Sequence, residues 1–525
     1  MHTIMKKIIA ELKEHKKIYW ALAFIVILSA IFRLWNLGEV PFVADEFLDV
    51  NATYGYHQTG QWQAWDFNHD RPSIRINEAS DERAWLYRIQ VAALYDYLPP
   101  TETTARLIST FWGILTTIIL YGVTLSFTKN RWIALIAAFL WAVSVPAIEI
   151  DRKIRMYSMF APLFLLLSWS VYQFLETGKR KVVSLHQSTF NFNYWYVIPI
   201  VLFGVLAMHL HQLTGNIAFV IFVYCLVMGF IVWRRKELPF NRYFVYAAAM
   251  ILVITTLAFV LPQQAQWFMS TLTFFDDHWS YVGHILRNYW HPLIGVLVIG
   301  AGTWHLVAQS KKRSAGIWIA LNFFVILLAA IFLWNRNVGP QYIFFIQPFG
   351  MILAAAGVYV LAHFLKTHVK NQKVFVGVLI VAVVLLPFYG YFFLANNTYN
   401  LTADGDAPDY RKVFDYVKRN ASEDDVMITR NFRNYYWGGM DITVYDFGSE
   451  RSEEKLALEN KVKKVTLAQV EEIVAEKPTG WVVFSDNDRQ FIEKEARAYF
   501  DEHMEKIDDS SLVRGKVSVY RWGNE

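Results

Sequence analysis

Ile18 to Asp49 read IYWALAFIVILSAIFRLWNLGEVPFVADEFLD. Residues 18–37 carry one charge, Arg33, close to their far end. A helix that crosses a bilayer needs about 20 predominantly apolar residues, so this run reads as a first span. Lys13, Lys16 and Lys17 stand before it. It exceeds the apolar core of about 7–15 residues found in a cleaved secretory signal, and no A-x-A site follows, so we read it as retained. Ten further runs of the same kind lie near 104–127, 131–148, 156–175, 194–210, 213–233, 243–262, 291–309, 315–334, 342–365 and 374–395. The chain therefore reads as a polytopic α-helical membrane protein with about eleven transmembrane helices.

Composition agrees. Of 525 residues, 55% are hydrophobic and 18% charged, against about 25% charged in soluble domains, which excludes a water-soluble multidomain protein and a disordered one. One cysteine, Cys225, excludes an internal disulfide and a thiolate metal cluster. Basic residues recur at alternate connections: Lys129 and Arg131; Lys179, Arg180 and Lys181; Arg234, Arg235 and Lys236; Lys311, Lys312 and Arg313; Lys366, Lys370 and Lys373. Cytoplasmic loops carry that excess, so the N-terminus reads as cytoplasmic and residues beyond 396, after an odd number of spans, as extracytoplasmic. The tail from 396 holds 19 basic and 26 acidic residues. The pI near 8.9 thus comes from anchoring loops, which removes nucleic acid as a partner.

Two stretches stand apart from the spans. The first external loop, 38–103, is far longer than an ordinary connection and rich in acids and aromatics, with 45–58 and 83–98 reading as amphipathic helices lying in the interface. The tail, 396–525, returns to soluble composition. Strands are expected at Asp425–Thr429, Ile442–Phe447 and Trp481–Ser485, and helices at Tyr410–Arg419, Ser452–Glu476 and Asp488–His503, a small α/β domain with a partly parallel sheet.

The chemistry should open outward, where the polar residues are. Asp45 and Glu46 follow the first span within about ten residues, at the level of lipid headgroups, where a carboxylate can serve as general base. The alternative is a solvated or helix-capping acid. The connection after the third span, Pro146 to Tyr157, holds Glu149, Asp151, Arg152, Lys153 and Arg155. Cations on the external side run against the usual trend and suggest a functional role. Arg152 and Arg155 suit a phosphate, and Glu149 and Asp151 a metal or an acceptor, unless the group is a local salt-bridge cluster. Arg336 is a further phosphate candidate or a residue reaching from a helix end to the interface. His209 and His211, two apart, splay on a helix and do not specify one metal. Asp276, Asp277 and His278 lie in another outer loop. Tyr435, Tyr436 and Trp437 in the tail either pack within it or stack on a sugar. Asn51-Ala-Thr53, Asn396-Asn-Thr398, Asn400-Leu-Thr402 and Asn420-Ala-Ser422 match the glycosylation tripeptide.

Taken in order, Arg33-Leu-Trp-x-Leu, Pro41-x-x-x-Asp45-Glu46, Arg83-Ala-Trp-Leu-Tyr87, Ala105-Arg106-Leu107, Arg152-x-x-Arg155-x-Tyr157, His209-x-His211-x-x-x-Gly215 and Gln341-Tyr342 with Pro348 resemble the polytopic glycosyltransferases of the C-type fold. The relatives in question are protein O-mannosyltransferase and the lipid A aminoarabinose transferase. The resemblance implies a transmembrane glycosyltransferase module over 1–395 and an extracytoplasmic α/β domain over 396–525. It implies transfer of a sugar from a polyprenyl-phosphate donor to a lipid, protein or glycan acceptor on the outer face, with inversion. Catalytic residues would be Asp45 and Glu46, and donor phosphate ligands Arg152, Arg155, Arg336 and Arg83. The acceptor or second acidic site would draw on Glu149, Asp151, Tyr157 and Tyr342. Tyr157 stands near a place where the aminoarabinose relatives carry Asp, and Glu82-Arg83-Ala84-Trp85 where they carry Glu-Lys-Pro-Pro. No cofactor is demanded; a divalent cation is left open, with Glu82, His209 and His211 as candidate ligands. The competing class is a polytopic transporter or lipid flippase, which internal repeats and mid-membrane charges would favour.

Overall fold

The run at 18–37 forms the helix Lys16–Leu34 in a computed structural model. The structure describes residues 14–43, 45–73, 84–178, 181–185, 188–236, 241–263, 266, 269, 272, 278–310, 313–335, 338–368, 374, 377, 409–448, 461–508 and 517–523. Among these, seven helices are long and apolar enough to cross a membrane, or eight when the bent pair Arg131–Val143 and Val145–Asp151 counts as one span. Shorter apolar helices, Tyr194–Leu210 and Pro292–Ala308, occupy two more of the expected positions. The eleventh expected span, 374–395, lies almost wholly outside the described residues. The chain divides into two compact units: Met1–Trp35, Ser109–Arg152 and Met156–Phe392 form the first, and Asn36–Ile108, Lys153–Arg155 and Phe393–Glu525 the second.

In the first unit, Trp20, Phe24, Ile27 and Ile31 form an exposed apolar stripe along Lys16–Leu34, a surface that lipid solvates better than water does. Tyr157–Glu176 and Pro340–His368 are buried for most of their length. Pro292–Trp304 and Gln347–His368 pack so closely that a Cβ on Gly302 would meet the Leu353 carbonyl, and one on Gly357 that of Val298; small residues are what lets membrane helices approach in this way. The bent pair turns by 61° with Ser144 extended and Pro146 in the first turn of the second helix. Proline lacks an N–H, and its ring clashes with the carbonyl four residues back, here Ala142, which disfavours one continuous helix through this point. The carbonyls near the break go to Arg33, which donates to Ala142 O at 3.1 Å and to Trp141 O at 3.3 Å. Its Nε donates to Asp151 at 2.8 Å, both side chains fully buried. Arg33 thus ties the first span to the break. Gly113 faces this pair, and a Cβ there would collide with the Asp151 carboxylate. Gly113→Ala is therefore expected to lower the melting temperature of the purified protein by several degrees, by the overpacking cost of about 1–3 kcal/mol.

In the second unit the tail forms a six-stranded sheet in the order Lys461–Val462, Thr443–Phe447, Val426–Thr429, Gly480–Ser485, Val517–Trp522, Glu505–Lys506. The first four strands are parallel, and the last two run antiparallel to their neighbours. Val426–Thr429 and Gly480–Ser485 are buried throughout, as befits strands covered on both faces. The expected helix Ser452–Glu476 is a correction: the described helix is Leu467–Glu476, begun by a Thr466–Gln469 capping box, and Lys461–Val462 is a strand. Asp488–His503 likewise divides into a 3-10 turn and the helix Lys494–His503.

At the end of the Gly480–Ser485 strand, Arg433 grips Asp488 through both terminal nitrogens (2.7 and 3.0 Å), while the Ser485 N–H and hydroxyl each donate at 2.8 Å. Burial alone would raise the pKa of Asp488; the Arg433 charge and these hydrogen bonds hold it below the ordinary carboxylate value. A carboxylate depressed in the folded state stabilises above its unfolded pKa and loses that contribution as pH falls through the folded value. Thermal unfolding of the protein is thus expected to be insensitive to this group above about pH 5 and to fall in acid. Asp488→Asn should remove that share of the acid-side drop while lowering stability at neutral pH.

The first loop does form two helices, Glu46–Thr59 and Trp85–Leu94. Glu46–Thr59 is not an interfacial helix. Glu46, Phe47, Asp49, Val50, Asn51, Ala52, Thr53 and Gly55 are buried, and Phe47 packs edge-on against Tyr410, Phe432 and Tyr436 of the tail at 5.6–5.9 Å between centroids. Asn51 gives its amide to the Phe432 carbonyl at 3.0 Å, which denies the first glycosylation tripeptide a free side chain. The tail aromatics pack as well. The Tyr436 hydroxyl accepts from Phe42 N and donates to Glu102, Tyr435 donates to the Pro100 carbonyl, and Trp437 is fully buried.

Candidate functional site

Asp45 begins the Glu46–Thr59 helix, which turns on its carbonyl: Leu48 N and Asp49 N donate to it at 3.1 and 3.3 Å. Its side chain makes no capping bond to that helix and is 59% exposed. Asp45 and Asp49 are four apart and Glu46 and Asp49 three apart, spacings that share a helix face. Three carboxylates so placed require cations, and three arginines supply them.

Glu46 is bound by Arg106, whose Nε donates to Oε1 at 2.9 Å and whose Nη2 donates to Oε2 at 2.8 Å. The same guanidinium donates to the carbonyls of Leu37, Val40 and Pro41, so it collects the whole turn between the first span and the helix. Glu46 also accepts from Val43 N at 3.1 Å and from Ile154 N at 3.0 Å. Four donors meet a carboxylate that is 2% exposed. The sequence reading made Glu46 catalytic alongside Asp45; its contacts here are those of a buried ion pair.

Asp49, 4% exposed, accepts from Arg88 Nε at 2.7 Å with one oxygen and from Arg155 Nη1 at 2.8 Å with the other. Arg155 Nη2 stands 3.2 Å from Asp45. The most exposed members of the six are therefore paired with each other: an acid able to take a proton and an arginine able to meet a phosphate oxygen. Of the candidates named from the sequence, Asp45, Glu46 and Arg155 come together here. Asp49, Arg88 and Arg106 are additions: the sequence signalled Asp49 by the D-E-x-x-D spacing and Arg106 within the Ala105-Arg106-Leu107 motif, without a role for either, since their partners lie far along the chain.

The remaining candidates in the first unit form separate groups. Asp151 is the fully buried partner of Arg33, a structural pair rather than a second acidic site. Arg152 donates through Nη1 to the carbonyls of Phe32 and Trp35 at 3.2 and 2.6 Å, closing the C-terminal end of the first span. Glu149 is half-buried. Tyr157, His211 and Tyr342 do gather, with ring centroids 5.7–6.3 Å apart, and His211 Nδ1 accepts from Leu213 N. His209 is exposed on the helix Val197–Leu210, whereas His211 lies just past that helix in an extended conformation, so the expected pair on one helix is a correction. Arg83, Glu82, Arg336, Asp276, Asp277 and the tripeptides at 396–402 lie outside the described residues. Among the described residues no three His, Cys, Asp or Glu side chains converge as metal ligands.

No protein-family model and no curated protein matches the chain by sequence. Solved structures do match it by fold. ArnT from Cupriavidus metallidurans in the apo state aligns over 97% of this chain and 98% of its own, at a TM-score of 0.55 and 10% identity. The same protein bound to undecaprenyl phosphate aligns over the same shares at 0.53 and 12%. The oligosaccharyltransferase AglB from Archaeoglobus fulgidus, in complex with an inhibitory peptide and a dolichol-phosphate, aligns over 94% of this chain and 73% of its own, at 0.58 and 10%. The chain has the fold of the C-type glycosyltransferases.

Proposed function

We propose that this chain is an integral-membrane glycosyltransferase that moves a sugar from a polyprenyl-phosphate donor to an acceptor on the extracytoplasmic face, with inversion. The observation that carries the reading is the exposed Asp45 carboxylate 3.2 Å from Arg155, an arginine held from behind by the buried Asp49. In this reading the acceptor oxygen or nitrogen attacks the anomeric carbon from the face opposite the phosphate. The bond from that carbon to the phosphate oxygen breaks, the acceptor proton passes to Asp45, and Arg155 stabilises the departing phosphate. The transition state is oxocarbenium-like, as in glycoside hydrolysis. Two of the similar structures hold a polyprenyl phosphate, undecaprenyl phosphate in ArnT and dolichol-phosphate in AglB, which supports a donor of that class.

Purified protein incubated with a panel of polyprenyl-phosphate sugars, with and without chelator, should release polyprenyl phosphate from at least one of them. No release from any donor, together with solute movement across vesicles containing the protein, would replace this reading with the transporter.

A further inference from the structure

Proton transfer at Asp45 leaves Asp49 and Arg88 without a role, yet both are buried charges on the same guanidinium network. Burying an ion pair costs desolvation that a pair of apolar side chains avoids, so its placement asks for a reason. Asp49 holds Arg155 through Nη1, at 2.8 Å, with Arg88 at 2.7 Å on its other oxygen to fix the carboxylate plane. One edge of the Arg155 fork is thereby set, and the other nitrogen, Nη2, faces Asp45 at 3.2 Å. Asp45 is the loosest member of the set: its side chain is exposed and makes no capping bond to its own helix. A guanidinium nitrogen held opposite such a carboxylate is a place where one anion can be exchanged for another.

We propose that Asp49, backed by Arg88, is a positioning residue for Arg155, and that Arg155 Nη2 is an exchange point. It pairs with Asp45 until a polyprenyl-phosphate headgroup takes that place, which releases Asp45 to act as base. The inference rests on the functional reading above and adds to it an order of events: the carboxylate becomes available only when phosphate is seated. Three carboxylates face three guanidiniums in this network, so phosphate oxygen replaces carboxylate at Nη2 without leaving Arg155 unpaired. No bond is made or broken in the exchange.

The test is the affinity of the full-length protein, in detergent or nanodiscs, for undecaprenyl phosphate alone. Asp45→Asn removes the competing anion and should tighten binding by about 1.5- to 5-fold, the range that corresponds to an exposed ion pair. Asp49→Asn should weaken binding by about 10-fold, with partial recovery in Asp49→Glu, and should have no further effect once Arg155 is Met, whereas a general structural defect would add to the Arg155→Met loss. Because Asp49 is buried and its removal costs folding stability, Asp45→Asn tests the exchange independently. Unchanged or weaker binding in Asp45→Asn overturns the exchange, and additive losses in the double variant overturn the positioning role. A wild-type protein that does not bind undecaprenyl phosphate overturns the functional reading itself, a result distinct from both.

Discussion

Asp45→Asn is expected to reduce sugar transfer by about 10²–10⁴-fold, the usual contribution of a positioned general base, while the melting temperature stays within a degree or two of the wild type. The two halves of this expectation come from different observations. The side chain is more than half exposed and forms no capping bond with the helix it begins, so its amide replacement forfeits only a solvent-screened contact with Arg155, worth about 0–1 kcal/mol. Arg155 keeps its anchor on Asp49, so the phosphate side of the site is preserved in the variant. What Asn cannot do is accept the acceptor's proton. Turnover should therefore collapse while donor KM falls by no more than the about 1.5- to 5-fold expected from loss of the competing anion, measured by release of polyprenyl phosphate under saturating acceptor. Activity within a few-fold of wild type would remove Asp45 as the base.

The fold was legible because its main signal is local. A span declares itself within about 20 residues, and helices occupy ten of the eleven expected positions. The exposed acid at 45 and the arginine at 155 were legible for a related reason, as charge set beside apolar runs. What holds them was not. Glu46 and Arg106 are 60 residues apart, Asp49 and Arg88 39, and Asp49 and Arg155 106, and no periodicity encodes a pairing of that length. The same limit explains Asp151. Its neighbours in sequence are cations, but its partner is Arg33, which faces it only because Pro146 breaks the helix and leaves carbonyls that a guanidinium can cap. In the tail, the strands Val426–Thr429 and Gly480–Ser485 were recognisable from their apolar runs, whereas Val517–Trp522 was missed: Ser518 and Arg521 interrupt its apolar residues, and its burial follows no strict alternation. The first-loop helices were found, but the surroundings of Glu46–Thr59 were misjudged, since an amphipathic face looks the same whether lipid or the tail covers it.

Glu46→Ala should do the opposite of Asp45→Asn. It is expected to destabilise the second unit by about 3–5 kcal/mol, the cost of leaving one partner of a buried ion pair uncompensated, and to affect transfer only through loss of folded protein. The arginine left behind is fully engaged: Arg106 would still be buried against the carbonyls of Leu37, Val40 and Pro41 with its charge unanswered. Val43 N and Ile154 N would lose their acceptor, and an unpaired buried donor costs about 1–3 kcal/mol in its own right. Arg106→Lys is expected to fall short of rescue in the same way. A lysine carries the charge but has three donors on a single nitrogen, and cannot span a bidentate carboxylate and three carbonyls at once. Replacing both members by apolar residues of similar volume, Glu46→Leu with Arg106→Met, should recover part of the ion-pair loss, because no charge is then stranded, although the three carbonyls stay without their donor. Thermal unfolding of the single and double variants measures the difference. A Glu46→Ala protein that melts with the wild type and has lost transfer would move the proton-accepting role from Asp45 to its neighbour.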